Sequence, residues 1–364
     1  MLDWLDRAQL EAHSVDLRQF IAFRPARLES GIRIIEAYNA SGLTFSLLPD
    51  RGLDIWAAHY NGIPLTWLSQ GSPHPGGPEQ DWLRQFNGGL LTTCGLTHAG
   101  PPEKDLLTGA PRGLHGRYTW THAGAVSISG GWQDDGYHLA LSGTMTQGAL
   151  FGEQLRMERT VRLKLGTPAL TIEDRVTNVS PDTATPLMVL YHINLGYPLV
   201  RAGTELEVAH HAVYPRDAEA AFGFERWSHY DAASAAYDEQ VFFHQPLVDA
   251  EGQAHAALLQ DGFGLELAWD ARALPYLTQW KNTRQGIYVS GLEPGNCIPE
   301  GQNAARVERR LAVLEPGADQ TFRWTLGVLD GDGAVDACRA RISALRDTGT
   351  PAENCRLDDF ATRE

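Results

Sequence analysis

The strongest constraint on the fold is a regular alternation of apolar and polar residues along two consecutive segments separated by a tight turn. The turn is Gly166-Thr167-Pro168. The alternating positions are Leu155, Met157, Val161, Leu163 and Leu165 before the turn, and Leu170, Ile172, Asp174 and Val176 after it. Because a period of two places alternate side chains on the same face of a strand, this pattern predicts a half-buried antiparallel hairpin.

Further short segments of the same character fill most of the chain. Asn61-Gly62, a dipeptide typical of two-residue hairpin loops, separates residues 53–59 from residues 64–68. Residues 185–193 are almost continuously apolar, which is typical of a fully buried strand. The many short segments, without an internal repeat or a linker, predict an all-β protein, a large antiparallel sandwich formed as one domain of residues 1–364.

The two ends of the chain have a different pattern. Residues 1–30 are expected to form an N-terminal extension, because strand-like alternation begins only at Ile32. Near the C-terminus, Asp332 is a helix-capping residue that precedes apolar residues at helical spacing. These residues are Val335, Cys338, Ile342 and Leu345. The sequence therefore predicts few short helices and a C-terminal helix over about residues 332–347.

Charge and cysteine content exclude several classes of function. The 364 residues carry a formal net charge of −15 without a block of like charges, whereas nucleic acids and anionic membranes require basic patches. The sequence shows neither the ~18 consecutive apolar residues of a membrane span nor the pattern of a signal peptide. The four cysteines are widely scattered, which favours free thiols. We therefore expect a cytoplasmic protein that binds neither nucleic acid nor membranes.

Three stretches place a polar residue where the surrounding pattern is apolar or rich in glycine. His115 lies between two glycines in Gly113-Leu114-His115-Gly116-Arg117. His192 interrupts an apolar strand, and Glu293 ends another apolar segment just before a Pro-Gly pair. Each has a structural alternative, namely a hydrogen-bonded turn histidine, a core histidine bonded to a carbonyl group, and a glutamate in a surface turn.

Two histidines and a glutamate are suited to acid–base chemistry, in which a carboxylate takes a proton while an imidazolium gives one. An acid near one of the histidines would hold its imidazole charged at neutral pH. The motifs of serine hydrolases, phosphate-binding loops and zinc proteases are absent. The adjacent His210 and His211 would point to opposite faces of a strand. We expect neither a metal nor a cofactor, although a metal site of the His₂Glu type stays an open alternative. Its ligands would be His98, His115, His192 and Glu293.

At these stretches the chain resembles the aldose 1-epimerase (galactose mutarotase-like) superfamily. Residues 113–116, GLHG, resemble the segment with the general-acid histidine, and residues 191–195, YHINL, resemble the NHxYFNL segment with the second histidine. Residues 288–294, YVSGLEP, resemble the late strand that ends in the catalytic glutamate. The GGLLTTCGL, GPP and GLEP segments are similar to a domain-of-unknown-function branch of this superfamily, and the resemblance covers most of residues 43–329.

Two departures from the sugar mutarotases suggest a reshaped binding pocket. Tyr191 replaces the asparagine before the second histidine, and Ile193-Asn194 replace an aromatic pair. The early Asn-Arg-Ile of the galactose enzymes is absent, and residues 97–102, THAGPP, stand in its place. The resemblance therefore points to a sugar other than galactose or glucose.

The resemblance implies a β-supersandwich and an anomer-interconverting activity on an aldose or sugar derivative. Glu293 would take the proton of the anomeric hydroxyl, His115 would protonate the ring oxygen, and His192 would bind nearby. The expected ligand is a small-molecule carbohydrate, with a homodimer left open. The alternatives are an isomerase of a modified or acidic sugar and a non-catalytic carbohydrate-binding protein.

The resemblance also implies further substrate-binding residues. Trp280 is expected to stack on a sugar face, and Asp217 is the candidate for the aspartate that holds sugar hydroxyls, with a surface turn as its alternative. The residues expected to bind hydroxyls or a charged group are His98, Arg51, Asp54, Arg84 and Lys281; for Arg51 a solvated charge at a strand end is the alternative.

Overall fold

Antiparallel β-sheets make up most of the molecule in the computed structural model, which describes residues 5–71, 73, 77 and 81–349. The strands of the N-terminal half are β1 Ile21–Arg27, β2 Arg33–Asn39, β3 Leu43–Leu48, β4 Asp54–Tyr60, β5 Ile63–Pro64, β6 Thr92–Cys94, β7 Glu103–Lys104, β8 Pro111–Arg112, β9 Gly124–Gln133, β10 Gly136–Gly148, β11 Gln154–Lys164 and β12 Ala169–Asn178. Those of the C-terminal half are β13 Thr185–Leu187, β14 Leu190–Leu195, β15 Glu205–Val208, β16 His210–Pro215, β17 Gln240–Pro246, β18 Gln253–Gln260, β19 Phe263–Asp270, β20 Tyr276–Arg284, β21 Ile287–Gly295, β22 Ala312–Leu314 and β23 Asp319–Asp330.

Three large sheets carry the fold. Strands β1 to β5 form one sheet in chain order, and a second has the order β15-β18-β19-β23-β12-β11-β10-β9. The third, with the order β16-β17-β20-β21-β14-β6, is called the site sheet below. One continuous apolar core joins residues of all three sheets, and Tyr191 of the site sheet packs edge-on against Trp324 of the second sheet. These packed antiparallel sheets confirm the expected all-β sandwich.

The hairpin predicted around Gly166 is the pair β11–β12. Its register runs from Leu155 opposite Asn178 to Leu163 opposite Leu170. The apolar positions of both strands are buried, and their polar neighbours are more exposed. The alternation in the sequence therefore sets which face of this hairpin enters the core.

Two segments differ from the sequence-based expectation. Residues 21–27, inside the expected N-terminal extension, form β1 and pair along β2. The apolar run 185–193 forms two strands, because β13 pairs with β22 whereas β14 enters the site sheet between β6 and β21. At the break, the amide N–H of Met188 donates to the carbonyl oxygen of Leu96 and that of Val189 to Asn296 Oδ1. The polar partners at the break are therefore supplied by loops that neighbour the site.

The helices are short except for the last. They are α1 Arg7–His13, α2 Trp82–Gln85, α3 Ala218–Phe222, α4 Gln302–Val307 and α5 Asp332–Arg346. Helix α5, predicted from its apolar spacing, buries Val335, Cys338 and Ile342 against the second sheet. Among the helices that the structure describes, none has the length and apolarity needed to cross a bilayer. Residues 70–79 form a polar segment rich in glycine and proline, and most of them lie outside the described residues. Cys355 also lies outside the described residues.

Candidate active site

His192 and Glu293 lie side by side on neighbouring strands of the site sheet. Strand β14 pairs with β21 so that Leu190 is opposite Gly295 and Ile193 is opposite Leu292, which places His192 opposite Glu293. Nε2 of the imidazole is 3.2 Å from Oε1 of the carboxyl group. Both side chains are almost completely buried. The two residues therefore form a buried carboxyl–imidazole pair.

Gly291 provides the space in which the Glu293 carboxyl group lies. Residues 291 and 293 face the same side of β21, since side chains alternate along a strand. A Cβ atom at position 291 would lie 2.7 Å from Glu293 Oε1 and 2.9 Å from Trp280 Cβ. Real Cβ atoms essentially never approach other atoms so closely, so this position requires glycine while Glu293 contacts His192.

His115 reaches the pair from a loop and not from a strand. Its backbone has a φ of 53°, a left-handed conformation that is uncommon for a residue other than glycine. The loop is held by main-chain hydrogen bonds, from His115 N to the carbonyl oxygen of Gly100 and from Gly95 N to the carbonyl oxygen of His115. The His115 ring centroid is 6.1 Å from that of His192. The structure therefore brings together the three residues expected to do the chemistry.

Both histidine rings have a nitrogen without a partner. Nδ1 of His115 and Nδ1 of His192 are buried and have no hydrogen-bond partner among the described residues. Leaving a buried polar atom unpaired costs about 1–3 kcal/mol, so such atoms need an explanation. A polar ligand that enters the site would supply the missing partners.

Burial controls the protonation of these groups. It raises the pKa of Glu293 well above its usual value, and the nearby Glu239 acts in the same direction. It lowers the pKa of His192 to about 4. It also lowers the pKa of His115 to about 3, with smaller contributions from His192 and His98. A neighbouring acid was expected to hold a histidine charged, but here burial favours the neutral forms of the carboxyl–imidazole pair.

Aromatic rings cover the pair and His115. Phe86 and Trp280 contact the His192 ring, each with a centroid distance of 5.4 Å. Trp82 lies 5.0 Å from the His115 ring and stacks on Phe86. Trp67 contacts both Phe86 and Trp280. These rings form an apolar wall of the kind that packs against the C–H face of a sugar, and Trp280 is part of this wall.

A chain of polar contacts fixes Trp280 from the outside. Its indole Nε1 donates to Glu239 Oε2 at 2.8 Å, and Arg216 Nη1 donates to Glu239 Oε1 at 3.2 Å. Arg216 Nε in turn donates to Asp217 Oδ2 at 2.7 Å. Asp217 is the N-cap of α3 and accepts from Ala220 N. Arg216 and Glu239 thus connect Asp217 to Trp280. The Asp217 carboxylate itself binds Arg216 and Ala220.

Two expected substrate-binding residues lie away from the site, and both expectations need correction. Lys281 follows Trp280 on β20 and so points to the opposite face of the sheet. There its Nζ donates to the carbonyl oxygens of Arg226 and His229, and burial lowers its pKa to about 8. Asp54 is buried, and its carboxylate accepts from Thr93 and an internal arginine. The charged atoms of both side chains therefore bind protein groups away from His192 and Glu293.

The other three expected residues differ in burial. His98 is buried behind the His115 loop, with Nε2 2.9 Å from the carbonyl oxygen of Pro101. Arg51 is buried in the turn between β3 and β4, where burial lowers its pKa against the influence of Asp54. Arg84 is exposed on α2, between the two aromatic residues of that segment.

Sequence reasoning missed Trp67, Trp82, Phe86 and Glu239. A signal existed for two of them, because Trp82 and Phe86 have i, i+4 spacing directly after the capping residue Asp81 and so lie on one side of a helical turn.

A metal site of the His₂Glu type was an alternative that the sequence left open. Within residues 5–71, 73, 77 and 81–349, the structure shows no group of three or more His, Cys, Asp or Glu side chains arranged to hold a metal ion.

Comparisons with known proteins agree with this fold. A family profile described as a domain of unknown function, DUF4432, matches residues 29–328. A Klebsiella pneumoniae structure described as a candidate aldose 1-epimerase has a TM-score of 0.81 and 25% identity, and the match covers 92% of this chain and 88% of that one. A galactose mutarotase-like protein from Clostridium acetobutylicum has a TM-score of 0.60 and 12% identity, over 86% and 99% of the two chains. A search of curated proteins finds no match. The chain therefore belongs to the DUF4432 family and has the fold of the galactose mutarotase-like proteins.

Proposed function

We propose that this protein is a carbohydrate epimerase that interconverts the anomers of an aldose or sugar derivative by acid–base ring opening. The observation that carries the proposal is the 3.2 Å contact between Glu293 and His192, with the His115 ring beside it. A base, an acid and a second imidazole are the groups this reaction needs. Their unpartnered ring nitrogens and the aromatic wall support a sugar as the ligand.

In the reaction, Glu293 accepts the proton of the anomeric hydroxyl while His115 donates a proton to the ring oxygen. The bond between C1 and the ring oxygen breaks, and C1 becomes a carbonyl carbon. After rotation about the C1–C2 bond, the ring oxygen attacks the other face of C1. Its proton returns to His115, and the proton on Glu293 returns to the new anomeric oxygen. General acid–base catalysis of this kind contributes roughly 10²–10⁴-fold per group.

The proton count of the site is compatible with this sequence of steps. Burial favours the neutral forms of Glu293 and both histidines, so the titrating proton lies on Glu293. The reactive form needs an ionised Glu293 and one charged imidazole, and this form holds the same number of protons. The enzyme therefore only has to move a proton from the carboxyl group to an imidazole when the sugar enters, without taking one up from solvent.

The test is the exchange of anomeric protons, measured by saturation-transfer NMR over a panel of free sugars. The wild-type protein should accelerate exchange for at least one sugar, and Glu293→Gln should abolish the acceleration while sugar binding persists. Glu266→Gln is the matched control, because Glu266 also contacts a histidine, His255, on a different sheet, and it should retain activity. If no sugar exchanges faster with the wild-type protein than in buffer, the proposed function is wrong.

A further inference from the structure

A buried guanidinium group lies behind the active site. Arg159 on β11 is completely buried. Its Nε and Nη2 donate to the two oxygens of Asp174 at 2.9 and 2.7 Å, and its Nη1 donates to Asp54 Oδ1 at 2.9 Å. One cation and two carboxyl groups thus share a site that solvent does not reach. The catalytic steps described above use none of them.

This cluster touches the strand that carries His192. Tyr191, the residue before it, points to the opposite face of β14 and donates its hydroxyl to Asp174 Oδ2 at 2.7 Å. The same carboxylate oxygen accepts from Arg159. The position of β14 along its own axis is therefore tied to the guanidinium group by two consecutive charge-assisted hydrogen bonds, which are about twice as strong as neutral ones.

The cluster also holds the strand next to β14. Thr93 on β6 donates its amide to Asp54 Oδ2 at 3.0 Å and its hydroxyl to Asp54 Oδ1 at 2.6 Å. The Thr93 hydroxyl also accepts from Arg159 Nη2 at 2.9 Å. The preceding residue, Thr92, is directly opposite His192 in the sheet. Strand β6 is thereby fixed on the same guanidinium as β14.

The loop that carries His115 is the third element in contact with the cluster. Tyr118, three residues after His115, donates its hydroxyl to the carbonyl oxygen of Gly52 at 2.9 Å. Arg159 Nη1 donates to that same carbonyl oxygen at 3.2 Å, and the guanidinium carbon lies 5.7 Å from the Tyr118 ring centroid. The strand that carries His192 and the loop that carries His115 are therefore both held by Arg159.

We propose that Arg159, acting through Asp174 and Tyr191, is a positioning residue that sets the separation of His115 and His192. This inference rests on the proposed function. A buried ion pair is weak evidence for stability, since well-packed apolar residues often stabilise a fold as much. The Arg159 cluster instead fixes geometry. A planar guanidinium that binds partners in several elements holds those elements in one arrangement.

The experiment compares Tyr191→Phe with Tyr60→Phe. Tyr60 also donates its hydroxyl to a carboxylate, Asp330 Oδ2, at 2.8 Å, between the last residues of β4 and β23; Asp330 is exposed, whereas Asp174 is buried. Both substitutions remove one hydrogen bond of the same type. We expect kcat of Tyr191→Phe to fall about tenfold with KM within about twofold, since a small misplacement of catalytic groups mainly lowers kcat. Tyr60→Phe should keep both constants, with a melting temperature no lower than that of Tyr191→Phe.

A second pair of variants and a spectroscopic measurement make the result independent of one substitution. Thr93→Val should also lower kcat, whereas Thr93→Ser should restore it. The imidazole ¹⁵N signals of His192 should shift in Tyr191→Phe and stay unchanged in Tyr60→Phe. Equal kcat values and unchanged His192 signals in both tyrosine variants would overturn the inference. If the wild-type protein accelerates no sugar, the proposed function fails, and the ¹⁵N signals alone still decide whether Arg159 positions His192.

Discussion

The indole Nε1 of Trp280 lies 2.8 Å from Glu239 Oε2, so a carboxylate outside the site sets the plane of a ring inside it. Arg216 holds that carboxylate from the other side. The orientation of the aromatic wall is therefore determined by charged residues that do not themselves contact His192.

Glu239→Ala is expected to weaken sugar binding. The Trp280 ring would lose its acceptor, and a partly exposed hydrogen bond to a charged group contributes about 1 kcal/mol, or roughly fivefold in KM. The turnover number should stay near that of the wild type, since Glu293 and both histidines keep their contacts. Glu225→Ala, an exposed glutamate nearby in sequence, serves as the control. A lower kcat with an unchanged KM would contradict this role for Glu239.

Gly291→Ala is expected to displace the Glu293 carboxyl group from His192. The added methyl group would lie 2.7 Å from Oε1, so the side chain must rotate, and a misplacement near 1 Å lowers the rate about 10²-fold. Gly327→Ala is the matched control, because this strand glycine has its nearest neighbour 3.8 Å from the added atom. Anomer exchange and thermal denaturation of both variants separate lost catalysis from lost stability. Full activity in Gly291→Ala would show that Glu293 does not need its observed position.

The pH dependence of activity follows from the single proton of the site. Below about pH 4, near the lowered pKa of His192, a second proton binds and the site loses its base. At high pH, above the raised pKa of Glu293, the shared proton leaves and the site loses its acid. We therefore expect kcat/KM to be level across neutral pH, with an acid limb near pH 4. The measurement is anomer exchange from pH 3.5 to 9, corrected for exchange in buffer alone. An acid limb near pH 6.5, the value of an unperturbed histidine, would contradict this prediction.

His255, which lies outside the site, makes the stability of the fold depend on pH. Burial alone would lower the pKa of His255, but hydrogen bonds to Glu266 and Asp249 outweigh burial and raise it. A raised pKa means that the folded state holds the proton more tightly, so the stabilisation is complete below the unfolded pKa of about 6.5. It is lost as the pH rises through the folded pKa. The melting-temperature difference between wild type and His255→Asn should therefore shrink from pH 6 to pH 9.

His138→Asn is the control for this effect, because His138 contacts Asp135 at the surface, where such pairs contribute little. Its difference from the wild type should stay small at every pH. A difference for His255→Asn that does not change with pH would indicate that packing, and not the charge of His255, stabilises this part of the second sheet.

The sequence contained enough information to predict the sandwich and the three central residues of the site. The alternation along β11 and β12 depends only on which face of a strand is buried. His192 stood out because it interrupts an apolar strand, and Glu293 because it ends an apolar segment before a Pro-Gly pair. Strand β1 was missed because it pairs at a sheet edge, where most of its residues are exposed and the apolar pattern is weak.

The errors in the site had a common physical cause. Lys281 was grouped with Trp280 because the two are adjacent, although adjacent residues of a strand face opposite ways. Asp54 is polar and near a turn, but its partners, Thr93 and Arg159, come from distant parts of the chain. Phe86 contacts His192 although the two residues are far apart in the sequence. Contacts of this kind depend on the packing of separate elements, which no local pattern in the sequence contains.

The support of His115 by main-chain groups has a consequence for how this family can vary. The hydrogen bonds to Gly95 and Gly100 use amides and carbonyls. Both positions need glycine, because a Cβ atom there would overlap the carbonyl oxygen of Met188 or the amide of Gly301, but other side chains of the surrounding loop can change without moving His115. A one-residue insertion or deletion between positions 95 and 116 would instead shift the donors and acceptors out of register. Natural relatives that retain the reaction should therefore differ in the composition of this loop far more than in its length.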